Sequence, residues 1–179
     1  AQKTGARVYV VLYSHLPQHQ FKTAYREITQ VYQQVYDQIP VSNITLLGDS
    51  AGGGLAAGFC EYCAATDLPQ PGHLVLISPW LDLDLNNPTI TKYEAHDVTL
   101  SVKGLRRVAK LWAAGEKHDD YRLSPINGDV SQMRDVFVCV GTREIMYPDS
   151  ALFVKKLRDT KVRVKFGVGR DLPHIGRVC

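Results

Sequence analysis

The chain has 179 residues, 45% of them hydrophobic and 22% charged, with a formal net charge of +3. That is enough chain for one domain burying roughly two-thirds of its unfolded surface, with the composition of a globular rather than a disordered or fibrous protein. The small charge, the lack of a basic block and the lack of any long apolar run argue against nucleic-acid binding and against a membrane span.

Arg7 to Tyr13 (RVYVVLY) is a nearly continuous apolar, β-branched run, the pattern of a strand buried on both faces. Residues 22–38 place Ile28, Val31, Tyr32, Val35 and Tyr36 at helical spacing, and Pro40 ends the segment. Residues 43–47 predict a strand, 51–65 a helix, and His73 to Ser78 a short strand closed by Pro79. The polar, Asn/Pro-rich residues 82–100 read as a long surface excursion. Val102, Leu105, Val108, Ala109, Leu111 and Trp112 then restore a helical stripe. Val136 to Val140 predicts a buried strand, 149–159 an amphipathic helix, and Val162 to Phe166 a last strand. Lys155-Lys156-Leu157-Arg158 reads as the solvated face of that helix.

Short apolar strands alternating with helices of about a dozen residues indicate an α/β fold on a mostly parallel sheet, flanked by helices. Ligands of such sheets sit beyond the carboxyl ends of the strands. Residues 1–179 are expected to form a single domain, with 82–115 as a lid or pocket-lining insertion. Cys60 and Cys63 have Cys-x-x-Cys spacing but fall inside a helix, with no second pair and no histidine at ligand spacing, so they read as buried thiols. Cys139 lies in an apolar strand and Cys179 is terminal. Nothing in this usage demands an oxidising compartment, which makes a cytoplasmic location the default.

The predicted strand at 43–47 runs into Gly48-Asp49-Ser50-Ala51-Gly52 and a run of small residues. Gly-x-Ser-x-Gly alone occurs by chance. Between a strand and a helix it reads as a nucleophile elbow, a turn tight enough to strain the serine and to require almost no side chain at Gly48 and Gly52. A phosphate cradle would need a Gly-Lys-Ser/Thr end or Gly-x-Gly-x-x-Gly spacing, and the sequence has neither.

A serine hydroxyl needs an adjacent base, and the base an orienting acid. The strand at 136–140 ends in Gly141-Thr142-Arg143-Glu144, and the strand at 162–166 leads to Asp171-Leu172-Pro173-His174. Ser50 as nucleophile, Glu144 as acid and His174 as base therefore follow in the order that an elbow serine requires. Asp149 competes with Glu144 for the acid role, although its place in the next helix suits an N-cap or first-turn acid. The N–H of Ala51 opens the helix toward whatever Ser50 attacks. Asp82 and Asp84 are expected to make turns and Asp49 to brace the elbow. His15, His73, His96 and His118 have no carboxylate and nucleophile in register and read as surface or structural residues.

Gly48-Asp49-Ser50-Ala51-Gly52-Gly53 resembles the elbow of the hormone-sensitive-lipase-like esterases of the α/β-hydrolase superfamily. Leu76-Ile77-Ser78-Pro79-Trp80-Leu81-Asp82, Leu123-Ser124-Pro125, Gly141-Thr142-Arg143-Glu144 and Pro173-His174 are similar to further segments of that family, in the same order along the chain. The resemblance implies an α/β-hydrolase fold and a carboxylesterase or lipase-like enzyme cleaving short- to medium-chain esters through an acyl-enzyme on Ser50. It implies a small-molecule ester as partner and neither metal nor organic cofactor. A homodimer is left open. Trp80 and Trp112 are candidate apolar walls of an acyl pocket, with core packing the equal alternative.

The family's His-Gly-Gly-Gly loop, which supplies most of its oxyanion hole, has no counterpart in these residues, nor has the helix that follows its histidine loop. The expectation is therefore a fragment with one assignable oxyanion donor, Ala51, and weak or no activity in isolation. An amidase or peptidase on the same triad, or a non-catalytic binding protein on the same fold, are the alternatives.

Overall fold

The alternation of strands and helices is realised as a four-stranded, all-parallel sheet in the order β1-β2-β3-β4, in a computed structural model describing residues 2–176. The strands are β1 (Thr45–Asp49), β2 (His73–Ile77), β3 (Asp135–Gly141) and β4 (Arg163–Gly169). The helices are α1 (Phe21–Tyr36), α2 (Ser50–Ala65), α3 (Thr91–Glu94), α4 (Val102–Ala113) and α5 (Tyr147–Arg158). Register sets Asp49 opposite Ile77, Ile77 opposite Cys139 and Gly141 opposite Gly169, so four carboxyl ends open onto one edge of the sheet.

Apolar packing explains this order. Phe21, Ala24, Tyr25, Ile28 and Tyr32 form the buried stripe of α1 and meet Leu55, Phe59 and Cys63 of α2 in one core. On the other side Leu74 and Leu76 of β2, Val136 and Val138 of β3, and Phe153 and Leu157 of α5 form a second core. Helix α2 is buried along most of its length because its small side chains admit neighbours closely. Cys60 and Cys63 are free, buried thiols on it, and burial pushes Cys63 up to about 12. Among the described residues no helix is long and apolar enough to cross a membrane.

Four sequence expectations need correction. Residues 7–13 form no strand: Val8, Val10 and Leu12 are 61%, 78% and 90% exposed, and only Val11 and Tyr13 lean on the core. An apolar run becomes a doubly buried strand only where neighbours pair both its edges, and no described strand pairs with it. Its far end is instead tied to α1, where Ser14 donates through N and Oγ to the Glu27 carboxylate (2.7 and 2.8 Å).

The start of the 82–100 excursion is not superficial either. Leu81, Leu83 and Leu85 are buried, a period-two apolar face hidden in the sequence by the Asp residues between them, and Ile90 is buried beyond it. On α4, Val108 and Leu111 are exposed, and burial falls on Ala109 and Ala113. Lys156 is not a free surface charge: its ammonium bonds to the carbonyls of Ile126 (2.9 Å) and Gly128.

Candidate active site

Three strand tips supply the polar cluster. Ser50 follows β1 with φ +50°, a left-handed conformation that side chains adopt at a cost. The chain can turn this sharply because Gly48 lacks a side chain: a Cβ there would lie 2.2 Å from the Gly52 carbonyl oxygen. One turn into α2, a Cβ at Gly54 would lie 2.0 Å from the Trp80 carbonyl oxygen, so the helix can seat against the segment after β2 only as glycine. Trp80 N–H donates to the Ser50 carbonyl (2.9 Å) and closes that contact.

Gly52 departs from expectation, since a Cβ there would meet nothing within 4 Å. It points outward from the first turn of α2. Gly48→Ala and Gly54→Ala are each expected to lower unfolding free energy by about 3 kcal/mol, because backbone atoms cannot yield as a side chain can. Gly52→Ala is expected to be neutral or stabilising by up to about 1 kcal/mol. Urea unfolding of the three variants compares them.

His174 Nε2 lies 2.9 Å from Ser50 Oγ, and His174 Nδ1 lies 2.6 Å from Glu144 Oε2. The Glu144 side chain is fully buried and that of His174 is 5% exposed. Glu144 Oε1 accepts from the Gly141 N–H (2.6 Å) and from Ser78 Oγ (2.7 Å). An ionised carboxylate only accepts, so Nδ1 carries the imidazole proton and Nε2 presents its lone pair to the serine hydroxyl. The histidine loop is braced on the acid loop: Arg143 N–H donates to the Leu172 carbonyl, and Asp171 N–H to Thr142 Oγ1. A Cβ on Gly141 would lie 2.2 Å from that same Leu172 oxygen. The structure thus brings Ser50, His174 and Glu144 into one chain of hydrogen bonds, with Ala51 at the first turn of α2 beside them.

Asp149 takes another place. It sits in the first turn of α5, 1% exposed, and accepts from Asn87 Nδ2 (3.0 Å) with no bond to His174. Burial is the main cause that raises it from 3.8 to about 6, against the Asn87 hydrogen bond. A carboxyl raised in the folded state binds its proton more tightly folded than unfolded. Its contribution to stability is therefore greatest below about 4 and is lost as pH rises through about 6. Asp149→Asn keeps the oxygen that Asn87 meets. It is expected to reduce the fall in unfolding free energy between pH 4 and pH 7 by up to about 3 kcal/mol, read by urea titration at each pH.

Ser78 has a role that its sequence position alone does not reveal. It is fully buried at the tip of β2 with φ +46°, donates to Glu144 and accepts the Ile175 N–H (3.2 Å), joining the acid loop to the histidine loop. The available signal was a serine at a strand end between the nucleophile and acid strands. Asp49 is exposed and makes no capping bond, so it does not brace the elbow through its side chain. His118 takes the structural role expected of it, paired with Asp84 Oδ1 at 2.6 Å. Its carbonyl accepts from Ser124 Oγ, which in turn accepts the Leu83 N–H, so that cluster pins the excursion. Trp80 is core, with its indole N–H on the Asp82 carbonyl (2.7 Å). Trp112 is partly buried against the same core.

A family model described as alpha/beta hydrolase fold matches residues 1–176. An acetyl-hydrolase of Streptomyces hygroscopicus is 31% identical over 172 residues, 96% of this chain and 58% of that protein. An esterase of Acinetobacter venetianus is 32% identical over 168 residues, 93% of this chain and 55% of that protein. Among solved structures, a candidate esterase from Staphylococcus aureus superposes with a TM-score of 0.90 at 30% identity, covering 93% of this chain and 57% of that one. A hormone-sensitive-lipase homologue from a metagenome library gives 0.87 at 26%, covering 93% and 58%. The chain spans a little over half the length of these relatives.

Proposed function

This chain belongs to the alpha/beta hydrolase fold family, and we propose that it carries the catalytic centre of a serine carboxylesterase. The observation supporting this is the hydrogen-bond chain from Ser50 through His174 to Glu144 at the carboxyl ends of the strands. Ser50 Oγ attacks the ester carbonyl carbon while its proton passes to His174 Nε2. Glu144 holds the imidazole and stabilises the imidazolium that forms. The imidazolium returns the proton to the alkoxide as the C–O bond breaks, leaving an acyl group on Ser50. Water then attacks with the same base, releasing the carboxylic acid and restoring the hydroxyl. The Ala51 N–H, with no intrahelical acceptor, donates to the developing oxyanion.

Short- and medium-chain esters are the proposed substrates. The names of the acetyl-hydrolase and esterase relatives support that class. Residues 82–115 serve as a fixed wall rather than a swinging lid. They are fastened beside the acid loop by the Ile145 N–H on Asp97 Oδ2 (2.9 Å), by Asn87 on Asp149, and by Tyr93 stacked on Tyr147 at 5.3 Å.

A fluorophosphonate probe tests the assignment, because it reports nucleophile activation without requiring a complete oxyanion hole. The expected result is one covalent adduct, mapped to Ser50 by peptide mass, together with slow turnover of p-nitrophenyl butyrate. Folded chain that leaves Ser50 unlabelled would refute it.

A further inference from the structure

We propose that the cleft at the far end of α2 is a second ligand site, for a small organic cation bearing an ammonium or guanidinium group on an aliphatic stem. The cleft has a volume of about 600 Å³ and is lined by Glu61, Asp67, Gln70, Tyr121 and Asp129 beside the apolar Leu68. Glu61 lies eleven residues along α2 from Ser50, roughly 16 Å down the helix axis, so the site is separate from the ester chemistry.

The argument rests on unused hydrogen-bonding capacity. Glu61 is 4% exposed, yet among the described residues neither carboxyl oxygen has a hydrogen-bond partner, and the buried Gln70 Oε1 has none either. The Gln70 amide is fixed with its Nε2 on the Cys60 carbonyl (2.7 Å), which leaves that oxygen free to accept. Gly128 lies close against the carboxyl group: a Cβ there would lie 1.9 Å from Glu61 Oε2.

A buried carboxyl without partners is costly and is retained where something else satisfies it. Lys156 attracts Glu61 but does not pair with it: its ammonium donates to the Ile126 and Gly128 carbonyls, and among the described residues Glu61 forms no ion pair. Among the described residues no lysine or arginine lines the cleft, against three carboxyl groups. Asp129 at the rim is held ionised by hydrogen bonds from Ser131 N–H and Oγ, which lower it.

Among the described residues no three His, Cys, Asp or Glu side chains stand close enough to hold a metal ion. A bare metal is therefore the poorer fit. The Glu61 and Gln70 oxygens lie just beneath the cleft surface, so an ammonium or guanidinium, with several donors, meets both together after a local shift of that lining. Its stem lies against Leu68 and Cys63, and a second cationic end reaches Asp129.

Burial raises Glu61 to about 9, against the attraction of Lys156, so the empty cleft holds a neutral carboxyl at pH 7.5. Binding a cation then expels the Glu61 proton: carboxylic acid plus cation gives the carboxylate–cation pair and one free proton. A rim-bound or diffuse cation releases none.

Calorimetric titration with agmatine and with putrescine, at constant ionic strength and in two buffers of different ionisation heat, counts that proton. The expected result is saturable one-to-one binding with release of close to one proton. Glu61→Gln should weaken binding at least about tenfold and abolish proton release. It replaces a neutral acid with a neutral amide and is expected to keep the fold, as checked by circular dichroism. Asp129→Asn, a surface change, should weaken binding a few-fold and keep the proton release, which preserves the test if Glu61→Gln misfolds. No saturable binding, equal binding by Glu61→Gln, or binding without proton release would each overturn the proposal.

Discussion

Ser50→Ala is expected to abolish fluorophosphonate labelling and to lower the rate of p-nitrophenyl butyrate hydrolysis by about 10⁴–10⁶-fold. The effect should be this large because, among the described residues, the hydroxyl placed to give His174 Nε2 a proton is Ser50 Oγ at 2.9 Å. The substitution also removes the atom proposed to form the acyl bond. The fold should survive and even gain slightly. Alanine leaves the elbow backbone at φ +50°, and the hydroxyl makes no bond that seats α2. Circular dichroism and urea unfolding close to those of the parent chain, with labelling gone, is the expected pairing. Residual labelling at another serine would remove Ser50 from the proposed mechanism.

Glu144→Gln should lower the same rate by about 10³–10⁴-fold. The amide oxygen of glutamine can still accept from the Gly141 N–H and Ser78 Oγ, which fixes which end of the amide faces which way. Its NH₂ then faces His174 Nδ1 and donates to it. That forces the imidazole proton onto Nε2, where it confronts the serine hydroxyl and leaves no lone pair to receive a proton. Asp149→Asn should leave activity at pH 7.5 within about twofold, since Asp149 faces Asn87 rather than the imidazole. Measuring both variants decides between the two acids. A reversed result, with Asp149→Asn inactive and Glu144→Gln active, would reassign the role.

The order of strands and helices was legible because each element carries its own periodicity. The apolar runs before Ser50, before Pro79 and before Gly141 became β1, β2 and β3, and the stripe ending at Pro40 became α1. The meeting of Ser50, Glu144 and His174 was legible because each lies on or within five residues of a strand end, and a parallel sheet brings successive strand ends together.

What could not be read depends on contacts across the fold. The run from Arg7 to Tyr13 has the composition of a central strand, but pairing is a property of neighbours, and no described strand supplies one. The Asp residues between Leu81, Leu83 and Leu85 dominate composition while the leucines carry the packing. Ser78 looks like any turn serine until β2 is set between β1 and β3. The motif singles out Gly52 and passes over Gly54, yet the approach of Trp80 makes Gly54 the one that must lack a side chain.

The hydrogen bond from His174 to Ser50 joins residues 124 apart in the chain. Helix α1 can form early from local contacts, but this bond closes only after β2 and β3 have been laid between β1 and β4 in the correct register. A slip of β4 against β3 by a single residue would carry its loop about 3.3 Å along the strand and turn every side chain of β4 to the opposite face. Refolding followed by far-ultraviolet signal and refolding followed by labelling of Ser50 are thus two different clocks. The first starts with the helices; the second cannot start until the last strand is home.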